Sequence, residues 1–114
     1  MKAKLPKGVG GPQNMNAMIR QAQKLQEEME ALQADLDERE YDVSAGGGAV
    51  KLKIKGTLEV LSIEIAPEIV DPDDIETLTD LITAAVNEGI SKVSKTNEEE
   101  KEKLSSQLNI PGVF

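Results

Sequence analysis

The chain has 114 residues, enough for one domain with a modest core and too few for two. It contains no cysteine and no histidine, which excludes disulfide frameworks, thiolate nucleophiles and the commonest general base and metal ligand. The net charge is −8 and no apolar run is long enough to span a membrane, so the composition leads to the expectation of a soluble cytoplasmic protein.

Residues 1–13, MKAKLPKGVGGPQ, are rich in Gly, Pro and Lys and lack apolar periodicity, which predicts a flexible basic tail ahead of a single domain over 14–114. From Asn14 the pattern changes. Met15, Met18, Ala22, Leu25, Met29, Leu32 and Leu36 recur at alternating spacings of 3 and 4, a heptad seam on a helix expected over 14–39. Such a helix is about 39 Å long at 1.5 Å per residue. Its apolar stripe is narrow and suits a partner helix, coiled-coil fashion, better than a broad sheet.

Three short strands follow. Tyr41, Val43 and Ala45 alternate with polar neighbours, and Val50, Leu52 and Ile54 alternate with Lys51, Lys53 and Lys55. Between them stand Gly46, Gly47 and Gly48, and Gly56-Thr57 marks a second tight turn. The third strand carries Leu58 and Val60, then Leu61, Ile63 and Ile65. Its alternation slips near Leu61, which predicts a bulge or a change of face.

The segment Asp71-Pro72-Asp73-Asp74 reads as a helix start, with Asp71 as cap and Pro72 at the first position. Ile75, Leu78, Ile82, Ala85, Gly89 and Val93 then form an apolar face widened by Leu81, Val86 and Ile90, the helix expected to cover the sheet. Beyond Val93, the run SKTNEEEKEK has no apolar residue, although Glu99 and Lys103 are spaced to pair. Leu104 and Leu108 resume the stripe. Both helices are expected to overhang the sheet, with Leu104 and Leu108 against the Met15–Leu25 end of the seam. The fold class is therefore α+β, in the order α-β-β-β-α, with a three-stranded antiparallel sheet and two long projecting helices.

A P-loop needs GxxxxGK[ST] leading into a helix, whereas the glycines here lead into a strand, so they are read as a turn. An EF-hand counted from Asp71 needs Gly and Glu where Glu76 and Ile82 stand, which leaves no calcium loop. The carboxylates sit on expected open helix faces. No catalytic residue, metal site, cofactor or small-molecule substrate is expected.

The charge is segregated. Residues 1–26 carry +5, residues 27–42 carry −7, residues 43–58 carry +3 and residues 59–88 carry −9. Lys51, Lys53 and Lys55 line one sheet face, either a phosphate contact or a solvated strand face. Lys2, Lys4, Lys7, Arg20 and Lys24 form a second basic group, with Arg20 and Lys24 on one helix face. This group is either a DNA contact or a solubilising tail.

Read as a whole, the chain resembles the YbaB/EbfC family of bacterial nucleoid-associated proteins over residues 14–114. The resemblance is carried by NMNAMIRQAQKLQEEM, AGGGAVKLKIKG, EVLSIEI, VDPDDIETLTDLITAAVNEGISK and LNIPGVF. It implies a tweezer-like homodimer that binds double-stranded DNA at the nucleoid with little or modest sequence preference; on physical grounds the basic residues are expected to make these contacts mainly to phosphates. On this chain the implied DNA-binding positions are Arg20 and Lys24 on the first helix, and Lys92, Lys95, Lys101 and Lys103 on the second. DNA-repair or replication proteins are implied as further partners. The long Lys-Gly-Pro tail and the acidic clusters Glu27-Glu28 and Glu98-Glu99-Glu100 depart from the pattern. The alternative is an adaptor whose heptad helices grip another protein, without physiological DNA binding.

Overall fold

The computed structural model describes residues 12–108. Their order is α1 (Pro12–Glu38), β1 (Glu40–Ala45), β2 (Val50–Lys55), β3 (Val60–Ile65) and α2 (Ile75–Leu108), with short 3₁₀ turns at Gly46–Gly48 and Pro67–Ile69. The expected α-β-β-β-α order and antiparallel meander are present, with the sheet ordered β1-β2-β3.

Helix α1 is built from Gln, Glu, Met, Leu and Ala, all strong helix formers. It opens at Pro12, two residues before the expected Asn14, because a proline in the first turn lacks only an N–H that has no partner there. The rest of the expected tail, with Lys2, Lys4 and Lys7, lies outside the described residues. The helix closes where Arg39 N–H donates to the Leu36 carbonyl at 3.3 Å, and Gly56 N–H donates to the Arg39 carbonyl at 2.8 Å. That second bond ties the end of α1 to the β2–β3 turn. Gly56 is required by close approach: a Cβ there would lie 1.7 Å from the Leu36 carbonyl oxygen.

Gly46, Gly47 and Gly48 have φ of 62°, 68° and 98°, values open chiefly to glycine. They turn the chain from β1 into β2, as expected. In the second turn Leu58 N–H donates to the Lys55 carbonyl and Lys55 N–H to the Glu59 carbonyl, both at 2.8 Å. Leu58 takes a φ of 71° there, the left-handed position usually given to glycine in a three-residue hairpin loop.

The β2–β3 register pairs Lys53 with Ser62 but Ile54 with Val60, so Leu61 is the extra residue of a β-bulge. This is the slip expected from the alternation.

The core consists of Tyr41 and Val43 from β1, Val50, Leu52 and Ile54 from β2, and Ala85 and Val93 from α2. Helix α2 packs over β1 and β2. Gly89 lets it settle closely, since a Cβ at that position would meet Leu52 and Ile54 side chains at 3.2 Å. Leu36 is wholly buried at the end of α1. Ile75 and Ile90, assigned to the covering face of α2, are instead exposed.

Two sequence expectations about helix ends are corrected. The cap of α2 is Asp74, whose carboxylate accepts from Thr77 N–H at 3.3 Å and from Thr77 Oγ1 at 2.7 Å. Asp71 instead accepts from Asp73 N–H at 2.9 Å, closing an Asx turn before the helix. The antiparallel overlap of the helices is also shorter than expected. Arg39, just past the end of α1, lies 3.7 Å from Glu100 of α2. Leu104 is one turn beyond that contact, whereas Met15 lies about 36 Å back along α1. Within one chain Leu104 therefore cannot cover Met15, and the first turns of α1 run free. The molecule measures 87 × 23 × 16 Å.

Candidate nucleic-acid interface

The lysine row on β2 is set by strand alternation: Val50, Leu52 and Ile54 turn into the core, so Lys51, Lys53 and Lys55 turn away from it. Its neighbours are acidic. Lys51 pairs in register with Ser44 and Glu64, Lys53 with Asp42 and Ser62, and Lys55 with Glu40. Lys53 Nζ lies 3.3 Å from Asp42 and 3.7 Å from Glu40, and Lys55 Nζ lies 3.6 Å from Glu38. Carboxylates of β1 and of the end of α1 thus balance Lys53 and Lys55 in place, and Lys51 stands beside Glu64 in register. Of the two readings of these lysines, the solvated strand face fits, and a phosphate would have to displace acids already there.

Arg20 and Lys24 stand differently. Both are exposed on α1, one turn apart, and among the described residues no carboxylate lies within 4.0 Å of either. Arg20 is about 28 Å from the anchored end of α1 at Arg39. Beside them the seam residues Met15 and Met18 are 56% and 67% exposed, and Ala22 is exposed as well. Leu25, Met29 and Leu32 are half-buried, and Leu36 closes the series at full burial. The seam is therefore covered at the sheet end only.

The α2 lysines are more dispersed. Lys92 Nζ donates to the Asp42 carbonyl of β1 at 3.1 Å, and Lys95 is exposed a turn further on, near a shallow hollow lined also by Ser44, Glu88 and Ser91. Lys103 pairs with Glu100 at 3.3 Å, one residue from the Glu99 expected for it, and Lys101 is half-buried. Between Lys92 and Lys95 on one side and Arg20 on the other comes an acidic belt in which Lys101 and Lys103 stand: Glu27, Glu28, Glu30, Asp35, Asp37 and Glu38 on α1, with Glu98, Glu99, Glu100 and Glu102 on α2. Arg39 sits in it as a fixed cation. Its hydrogen bond to Asp35 at 2.8 Å raises its pKa above an already high ordinary value, and the charge of Glu100 adds to this.

The structure brings Arg20 and Lys24 together, and places Lys92 and Lys95 together about 40 Å away along the long axis. It does not bring the two pairs to one surface of a single chain. Among the described residues no group of three or more acidic side chains converges as a metal site, and no helix is long and apolar enough to cross a membrane. Sequence reasoning missed the apolar surface of β3: Val60, Leu61 and Ile63 are exposed. Their signal was present in a strand whose apolar residues fall on both sides of its slip.

These features define a small α+β protein that carries a pair of exposed basic side chains, free of ion pairs among the described residues, on a helix projecting from a three-stranded sheet. The chain belongs to the YbaB/EbfC DNA-binding family, whose model matches residues 11–108. It is similar to a nucleoid-associated protein of Caldicellulosiruptor saccharolyticus, 58% identical over 107 residues that cover 94% of both chains. A nucleoid-associated protein of Caldicellulosiruptor bescii is 55% identical over 113 residues, 99% of this chain and 98% of its own. One of Alkaliphilus metalliredigens is 51% identical over 107 residues, 94% of each. Among solved structures, an uncharacterised Helicobacter pylori protein aligns with a TM-score of 0.58 at 19% identity, covering 68% of this chain and 90% of that one. That likeness is one of fold.

Proposed function

We propose that this protein is a homodimeric nucleoid-associated protein that binds double-stranded DNA through phosphates, with little sequence preference. It acts at the nucleoid, in the cytoplasm, where DNA-repair or replication proteins are its natural neighbours. The observation that carries this reading is the Arg20–Lys24 pair, exposed, without an ion-pair partner among the described residues, and held on a helix in a member of a DNA-binding family. The N-terminal Lys2, Lys4 and Lys7 precede the same helix in sequence and share its sign. Lys92, Lys95, Lys101 and Lys103 are auxiliary, because Lys92 and Lys103 already have protein partners.

The test is fluorescence anisotropy on a labelled duplex of about 30 bp, across a salt series, with the full chain and the double variant Arg20→Glu/Lys24→Glu. Phosphate binding gives a linear log–log salt dependence with a slope near −0.9 per neutralised phosphate. The variant is expected to bind at least about tenfold more weakly and with a slope shallower by roughly 0.9 for each lost contact. Salt-insensitive binding to a preferred sequence would overturn the phosphate mechanism.

The acidic belt favours a second reading, a protein-interaction adaptor whose helices grip another protein. It predicts that the duplex is not bound even at low salt, and that a protein partner is held through the exposed Met15 and Met18.

A further inference from the structure

We propose that residues 109–114, which lie outside the described residues, are what covers the α1 seam at Leu25 and Ala22, laid along it as an extended strap. The strap belongs to the single chain and is present with or without DNA.

The seam outlasts the helix that covers it. Arg39 meets Glu100 at 3.7 Å, and α2 runs only to Leu108, about 12 Å further on. With the two helices antiparallel, Leu108 comes about level with Ala31 of α1. From Leu25 back, the stripe therefore has no α2 residue opposite it among the described residues. Leu25 is half-buried and Ala22 exposed there. Gln21 and Gln26 border these two on either side, each about 40° beyond the edge of the stripe.

The sequence NIPGVF follows α2 at the matching place. A helix does not run through Pro111, whose ring clashes with the carbonyl four residues back, and Ile110 before it is steered to extended backbone. Ile110, Val113 and Phe114 are apolar, and residues 109–114 carry no charged side chain. At about 3.1 Å per residue in a polyproline-type extension, Val113 falls about 15 Å beyond Leu108. Ala22 stands about 14 Å beyond Ala31 along α1. Ile110, about 6 Å out, falls between Met29 and Leu25. The apolar residues of the segment thus come to those of the seam.

A tethered segment suits the stripe better than a second molecule does. An extended chain leaves its own N–H and C=O groups to be paired, and the amides of Gln21 and Gln26 offer donors and acceptors on both sides of it. A second helix would have to hold on a stripe about 24 Å long and two residues in seven wide. That is a small contact beside the roughly 800 Å² per partner of a standard stable interface. A segment anchored at Leu108 instead acts at an effective concentration in the range of about 1 mM. Arg20 and Lys24 each stand about 160° around the helix from Ala22, so closing the seam leaves both cations clear.

The test uses the full chain, whose sequence has no cysteine to confuse it. On mild oxidation Ala22→Cys/Val113→Cys is expected to form a disulfide within one chain, seen as loss of both thiols at monomer mass on a denaturing gel. The control is Glu27→Cys/Val113→Cys. Position 27 is nearer the root of the segment than Ala22 but about 140° around the helix from it, so little or no linkage is expected. Equal linkage of the two pairs would overturn the strap, since an unseated segment reaches both faces. Linkage of Ala22→Cys/Val113→Cys between chains would give the stripe to a second copy, and no linkage in either pair would leave it to another partner; each overturns the assignment. A second measurement needs no cysteine. Val113→Asp is expected to speed amide hydrogen exchange over residues 18–28 by about tenfold and leave the strands unchanged. Unchanged exchange over 18–28 would also overturn the strap.

Discussion

At the residue scale, the junction between α1 and the sheet depends on one absent methyl group. The Leu36 carbonyl occupies the space a side chain at position 56 would need, and it is backbone, so it cannot rotate aside. Gly56→Ala is expected to destabilise the fold by about 3 kcal/mol, at the upper end of overpacking costs. Gly47→Ala makes the contrast: its φ is 68° but nothing lies within 4 Å of its Cβ position. There only the left-handed backbone penalty applies, about 1 kcal/mol. Urea denaturation of the two variants separates these origins, and equal losses would contradict the steric account of Gly56. In the sequence both glycines were legible as turns. That one is also a packing position was not, because the atom it accommodates lies twenty residues earlier in the chain.

At the level of elements, the α1 seam shows what periodicity reveals and what it leaves open. Spacing assigned Met15, Met18, Ala22, Leu25, Met29, Leu32 and Leu36 to one face, and burial along that face rises from the exposed start to Leu36. The occupant of the face was misread, since apolar period carries no information about where a neighbouring helix ends. Leu36→Ala is expected to cost about 3 kcal/mol, as for other large-to-small changes at full burial. Met18→Ala should alter chain stability by no more than about 0.5 kcal/mol. Thermal unfolding of both variants tests this gradient, and comparable losses would mean that the start of the seam is covered. The same limit explains Asp71. Three aspartates within four residues signal a helix start, but the cap is the one whose carboxylate reaches Thr77, which composition alone does not rank. Strand β3 was read well for its bulge at Leu61 and poorly for its surroundings. Alternation identifies a face, and only the placement of α2 shows which part of that face stays bare.

On the scale of the whole molecule, shape and charge dominate. The radius of gyration is 23.5 Å, against roughly 13 Å for a compact chain of this length. Elongation separates the charges that the sequence had already segregated: the Arg20–Lys24 pair lies outward, and the acidic belt lies where α1 meets α2. The net charge of −8 therefore does not describe what an approaching duplex meets first. The belt is within reach of screened repulsion, since the Debye length is about 8 Å at physiological salt and Glu27 and Glu28 follow Lys24 within one turn. Glu27→Gln/Glu28→Gln is expected to tighten duplex binding by about threefold at low salt, with the gain shrinking as salt is added. Unchanged affinity in the anisotropy assay would mean that the duplex approaches away from this face. The clustering of the belt was legible in the sequence. Its position between the two basic pairs became visible only with the register of α1 against α2.

The seating of Gly56 beneath Leu36 has a mechanical meaning. Helix α1 is a lever with its fulcrum at that contact, and Arg20 sits about 28 Å out along the beam. A rotation of about 5° at the fulcrum sweeps Arg20 through roughly 2 Å, a large part of a hydrogen-bond length. The direction in which this protein presents its positive charge is thus set about 28 Å from Arg20, at the backbone contact between Gly56 and Leu36.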